Sequence, residues 1–244
     1  MEKAQRIKKP SVLSFLDENR KVWIALWQAY TFRKTHQTTA KGDGHPVLVL
    51  PGFMASDLSS FLLRRFIKEQ GYVPYPWGLG RNYGDLSQLN TLLTKIETLQ
   101  AKHQTQVSLI GWSLGGVYAR QLAKERPDLV RQVITLAAPF AGIDQPNNAA
   151  WLHKLINYRS PIADADQKWL VDLAGPAPVP TTALYSKDDG VVPWQACMEP
   201  IEDALHQNVE IKGGHFGMGY LPSTWLLIAD RLQLTAANWK PFFP

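Results

Sequence analysis

Six short apolar runs alternate with stretches of helical periodicity, and this alternation constrains the fold more than any other feature of the chain. The runs are VLVLP (47–51), YVPYP (72–76), VSLI (107–110), QVITLAA (132–138), TTALYS (181–186) and VEIK (209–212). A run such as VLVLP shows no polar alternation, which predicts a strand buried on both faces. Between the runs, Leu58, Leu62, Leu63 and Phe66, then Leu89, Leu92, Leu93, Ile96 and Leu99, recur at helical spacing. Helices are predicted over 57–70, 86–103, 114–124, 194–205 and 222–234. Strands alternating with helices predict an α/β fold, a doubly wound, mostly parallel sheet of about six strands flanked by helices. Sheets of this kind hold their ligands at the carboxyl ends of the strands.

Two segments stand outside the rhythm. Residues 11–30 predict one or two helices, with Val12, Phe15 and Leu16, then Val22, Trp23, Leu26, Trp27 and Tyr30, at helical spacing. With the polar stretch 35–45 they form an N-terminal segment (1–45) packed on the main domain (46–244). Basic at its start and rich in tryptophan, residues 1–30 also suit a weak peripheral contact with a membrane surface. Residues 140–178 are too long for a simple crossover and end in a proline-rich stretch. They predict an inserted pair of helices capping the site, bearing Trp151, Leu152, Leu155, Ile156, Trp169 and Leu170. At 244 residues the chain is long enough for one sizeable core.

Several function classes drop out on composition. The net charge is +5, but no basic stripe interleaved with aromatics and no nucleic-acid reader motif is present, so no nucleic-acid partner is expected. There is no H-E-x-x-H, no cysteine pair and no histidine cluster, so neither a metal nor any other cofactor is expected. The loop GLGRNYG (78–84) has the wrong spacing for a dinucleotide fingerprint. The only cysteine, Cys197, rules out an intrachain disulfide and is expected to be a buried, inert thiol. The apolar stretch SVLSFL is cut short by charged residues and is no secretory signal; a cytoplasmic protein is expected.

Chemistry concentrates at VSLIGWSLGGVYARQLA (107–123), where Ser113 follows a buried strand and opens a helix. A sharp strand–helix turn exposes a serine over the sheet edge. Gly111 and Gly115 stand where neighbouring backbone leaves no room for a Cβ. The positive end of the helix and the N–H of Leu114 then face an oxyanion formed at Ser113. A serine hydroxyl attacks well only when a base takes its proton and an acid orients that base. Asp188 and Asp189 lie just beyond one later strand, and His215 lies in a glycine-rich loop beyond the last. His36, His45, His103, His153 and His206 fall elsewhere along the predicted elements.

Taken together, VLVLPGF, GWSLGG, LAAPF, YSKDDGVVPW and GGHFGMG resemble the α/β-hydrolase superfamily, in its esterase and lipase-like members, over roughly residues 46–235. The resemblance implies a catalytic triad in the order Ser113, Asp189, His215. The stretch D-G-V-V-P resembles the sequence that commonly follows the catalytic acid, which favours Asp189 over Asp188. Pro51-Gly52-Phe53 occupies the place of the family's H-G-x turn, so the backbone amide of Phe53 is implied as the second oxyanion donor, with proline where histidine is commoner. The first two strands of larger members are replaced here by the N-terminal helices. Carried onto this chain, the resemblance implies a carboxylic ester hydrolase working through an acyl-enzyme, with thioesters or amides as alternative substrates and a non-catalytic binding protein as the alternative role. Trp112, Arg81, Asn82 and Trp151 are expected at the substrate pocket. Trp112 and the apolar cap favour a small molecule with a hydrophobic acyl chain.

Overall fold

The computed structural model describes residues 10–35, 42–141 and 168–242. Strands β1 (Pro46–Leu50), β2 (Val73–Pro76), β3 (Val107–Trp112), β4 (Val130–Leu136), β5 (Thr181–Tyr185) and β6 (His206–Glu210) form one sheet in the order β2-β1-β3-β4-β5-β6. Every pairing is parallel. Among the described residues the α-helices are α1 (Val12–Thr35), α2 (Phe61–Glu69), α3 (Gln88–His103), α4 (Leu114–Glu125) and α5 (Pro222–Leu232). All residues of β1, β3 and β4 are buried, as their unbroken apolar runs require.

The side chains of β1 divide by parity between two cores. Leu48 and Leu50 join α3 and α4 on one face, with Trp77, Leu92, Ile96 and Tyr118. Val47 and Val49 join α1, α2 and α5 on the other, with Ala25, Phe66, Trp225 and Ile228. This division is the period-two geometry of a strand read out on both faces. The order of the strands reverses between β1 and β3, and in such sheets the ligand crevice opens at the carboxyl ends of the strands flanking that reversal.

Four expectations shift. Residues 11–30 form one helix, and it runs on to Thr35. Residues 57–60 make a 3₁₀ turn before α2. The helix expected over 194–205 reduces to a 3₁₀ turn, Trp194–Cys197. Met198 is extended, Pro200 cannot continue a helix, and Glu199 is drawn inward to a buried ion pair with Arg120. The last strand begins at His206, not Val209. Its polar first residues are held by side-chain bonds, His206 Nδ1 to Asp203 Oδ1 at 2.7 Å and Asn208 Nδ2 to the Glu199 carbonyl at 3.0 Å.

Of the expected cap, residues 142–167, Trp151 among them, lie outside the described residues. Trp169 is buried in the core beside α3 and α4. Cys197 is buried, and burial pushes its thiol pKa well up. Among the described residues no helix is long and apolar enough to cross a membrane.

Candidate active site

Ser113 sits at the carboxyl end of β3 with φ 52° and ψ −123°, a conformation side-chain-bearing residues rarely adopt. Its N–H donates to the Leu136 carbonyl at the end of β4 (2.8 Å), and its carbonyl accepts from Gly116 (2.9 Å). The surrounding glycines are required by close approach. A Cβ on Gly111 would lie 2.3 Å from the Gly115 carbonyl oxygen, and one on Gly115 would lie 2.4 Å from that of Leu50. Helix α4 thus crosses the ends of β1 and β3 at backbone contact. Leu114 is its first residue, so its amide belongs to the first turn, which lacks intrahelical acceptors.

Asp189 and His215 are joined directly. His215 Nδ1 lies 2.7 Å from Asp189 Oδ2, and both side chains are buried. The second carboxylate oxygen, Oδ1, accepts from the amides of Val191 and Val192, each at 2.8 Å, which fixes the carboxylate plane. Asp188 does not take part through its side chain. It is exposed, its amide donates to Ser186 Oγ (3.1 Å), and its carbonyl accepts from Lys21 Nζ (2.7 Å).

The histidine loop is tied to the serine strand as well. Trp112 Nε1 donates to the His215 carbonyl at 3.1 Å. The Trp112 ring meets Tyr220 edge-on at 5.5 Å, and a Cβ on Gly219 would strike that indole at 2.5 Å.

Ser113 opens into a cavity of about 540 Å³ lined by Gly52, Phe53, Met54, Trp112, Val191, Phe216 and Tyr220, with Val22 reaching in from α1. Apart from Ser113, Ser59 and the Tyr220 hydroxyl its lining side chains are apolar. The Tyr220 hydroxyl donates to the Ser59 carbonyl (2.8 Å), and burial raises its pKa.

Of the pocket residues expected from sequence, Trp112 lines this cavity; Arg81 and Asn82 do not. Arg81 is exposed on the loop. Asn82 is buried and builds the turn after β1: its Nδ2 donates to the Pro51 carbonyl (2.9 Å), its carbonyl accepts from Met54 (2.6 Å), and its amide donates to Ala55 (2.8 Å). It therefore shapes the loop that carries Phe53 without meeting the cavity. Trp151 lies outside the described residues.

One residue at this site escaped the sequence reading. Glu18, on α1, is 1% exposed; its Oε1 accepts from the Gly190 amide (2.8 Å) and its Oε2 from the Phe216 amide (3.0 Å). No periodicity marks a carboxylate on the buried face of a helix.

A family model described as the alpha/beta hydrolase family matches residues 47–242. No match is found among curated proteins. Solved structures are similar in fold. Lipase B of Aspergillus fumigatus superimposes with a TM-score of 0.60 at 17% identity, covering 82% of this chain, which spans 56% of that lipase. A mature Bacillus licheniformis lipase gives 0.56 at 16% identity, over 81% of this chain and 94% of its own. A monoacylglycerol lipase of Paleococcus ferrophilus gives 0.54 at 15% identity, over 81% and 98%.

Proposed function

The chain belongs to the alpha/beta hydrolase family, and from that premise we propose that it is a serine hydrolase that cleaves carboxylic esters through an acyl-enzyme intermediate. Ser113 Oγ attacks the ester carbonyl while His215 Nε2 takes its proton. His215 then returns that proton to the departing alcohol, and water, activated by the same imidazole, releases the acid. Asp189, accepting from Nδ1–H, holds the imidazole in the tautomer whose Nε2 is free to act as a base and stabilises the imidazolium that forms. The backbone amides of Phe53 and Leu114 are the proposed oxyanion donors; loss of one such donor typically costs about 10²–10³ in rate. No cofactor is required.

The observation that carries this proposal is the buried Asp189–His215 pair beside an apolar cavity opening at Ser113. The cavity lining favours a small molecule with a hydrophobic acyl chain. A fluorophosphonate reagent should label the protein, and p-nitrophenyl esters of increasing chain length should be hydrolysed; both activities should vanish in Ser113→Ala. Labelling that survives the substitution would sink the mechanism. Clean labelling without turnover of any ester would move the substrate to a thioester or amide, and neither labelling nor turnover would leave a non-catalytic binding protein.

A weak peripheral contact of residues 1–30 with an anionic membrane belongs to the same proposal. It is favoured by the outer face of α1, where Val12, Leu16, Trp23, Trp27 and Tyr30 form one exposed stripe. Asp17, the acidic residue nearest that stripe, is neutralised by Arg20 at 2.6 Å, while Lys3, Arg6, Lys8 and Lys9 precede the helix in sequence.

A further inference from the structure

We propose that Glu18 is a positioning residue that sets the spacing of Asp189 and His215, an inference that rests on the triad proposed above. The two backbone amides it binds belong to Gly190 and Phe216, the residues immediately following Asp189 and His215. One carboxylate therefore bridges the two loops, with one oxygen for each.

The same turn of α1 also grips the residue before Asp189. Lys21 Nζ donates to the Asp188 carbonyl at 2.7 Å and lies 3.8 Å from Glu18 Oε1. Both loops are shaped to receive the helix. A Cβ on Gly190 would lie 2.3 Å from the Ser14 carbonyl oxygen, and one on Gly214 would lie 2.6 Å from Glu18 Oε2.

The need for such a bridge follows from the sheet. Asp189 and His215 extend from the neighbouring strands β5 and β6, whose ladder ends at Tyr185 and Glu210. Beyond Ile211, whose amide still reaches the Tyr185 carbonyl, Ser186 Oγ donates to the Gly213 carbonyl (2.6 Å), and past that bond the two loops run on without strand pairing. Packing alone would be served more cheaply by an apolar side chain, because a buried carboxylate is costly unless its oxygens are satisfied. A carboxylate accepting two backbone amides holds their donors at a fixed separation, which an apolar contact does not.

The test is Glu18→Gln, which keeps one acceptor oxygen and turns an NH₂ group toward the other amide. Steady-state kinetics on a soluble short-chain p-nitrophenyl ester should show kcat reduced about 10-fold or more, with KM within about twofold, because misplaced reacting groups lose rate and not ground-state binding. The measurement is made well below the variant's own melting temperature. Arg20→Ala, on the solvent side of the same helix, should leave both constants unchanged. Unchanged kcat in Glu18→Gln, or an equal loss in Arg20→Ala, would overturn the proposal.

Should Glu18→Gln not fold, Glu18→Asp, which keeps the charge but shortens its reach by one methylene, should still lower kcat at constant KM; an unaltered kcat there overturns the proposal too. A parent protein that neither turns over esters nor labels with fluorophosphonate refutes the triad itself. An active parent with an equally active Glu18→Gln refutes only the role of Glu18.

Discussion

Ser113 is held at a positive φ among fixed neighbours, and the strain has a measurable consequence. A residue in so sparsely populated a region costs about 1–3 kcal/mol, whereas glycine's additional chain entropy costs about 0.5–1 kcal/mol. Ser113→Gly should therefore be more stable than Ser113→Ala by about 1 kcal/mol, while both lose fluorophosphonate labelling. Matched denaturant titrations decide it, and equal midpoints would mean that the turn is unstrained. This corner was legible in the sequence because close backbone approach demands glycine at fixed spacing, and G-W-S-L-G-G displays that demand openly. The strands preceding them brought His215 and the pair Asp188 and Asp189 to notice, and only the resemblance of D-G-V-V-P to the family's sequence favoured Asp189. Asn82 was placed at the pocket because its loop nears the site rim, and local sequence does not reveal that its amide turns inward to the Pro51 carbonyl. Glu18 was illegible for a different reason: its partners lie 172 and 198 residues away in the chain.

Among the elements, α1 has two unlike faces. Its inner face holds Glu18, Ala25 and Ala29 against the fold; its outer face exposes Trp23 and Trp27, 72% and 66% accessible. Tryptophan and tyrosine on a helix with basic flanks suit the headgroup region of a bilayer. The full chain should therefore co-sediment with vesicles containing phosphatidylglycerol and much less with pure phosphatidylcholine. The double variant Trp23→Glu, Trp27→Glu should stay in the supernatant and keep its activity on soluble esters. Absence of vesicle binding, with concentration-dependent dimers that the double variant abolishes, would assign the stripe to a second copy of the chain instead. The helical period of residues 11–30 was plain from sequence, but period alone does not say which side faces water. The helix expected over 194–205 failed at a point that period also ignores. Arg120 pulls Glu199 into the core, lies over the Phe140 ring at 3.7 Å, and donates to the Gly175 carbonyl at 2.6 Å, fastening the α4 that opens at Ser113.

Across the whole molecule, the candidate site and a second polar cluster occupy opposite ends of the sheet. At the amino ends of the strands, His45 Nδ1 lies 2.5 Å from Asp43 Oδ1, its Nε2 lies 2.8 Å from Ser108 Oγ, and Arg131 donates to Asp43 Oδ2 at 2.7 Å. Burial lowers the His45 pKa below its ordinary 6.5, and Arg131 adds to the effect. The unfolded chain therefore binds a proton at His45 before the folded one does. The stability from neutral His45 is complete above about pH 6.5 and is lost as pH falls through the lower folded value. Burial alone would raise the Asp43 pKa, but hydrogen bonds from His45 and Arg131 hold it at about 2, so its contribution disappears only in stronger acid. Thermal unfolding should thus show a melting temperature that drops between pH 7 and pH 5, with a shallower drop in His45→Gln. Identical slopes would remove His45 from the account. The parallel sheet was legible because unbroken apolar runs specify interior parallel strands, but its strand order was not, because apolar runs do not say which strands are neighbours. The edge strand β6 was misplaced by several residues because its first half is polar.

The match to the family begins at residue 47, whereas the carboxylate that joins the acid and histidine loops is at residue 18. Helix α1 is thus a matched part, a key cut to one lock. Chimeras that graft a foreign leading helix onto residues 46–244 would test the fit of that key, and those lacking an inward acid at the position of Glu18, the seventh residue of the helix, should assemble a sound sheet around a poorly aligned site.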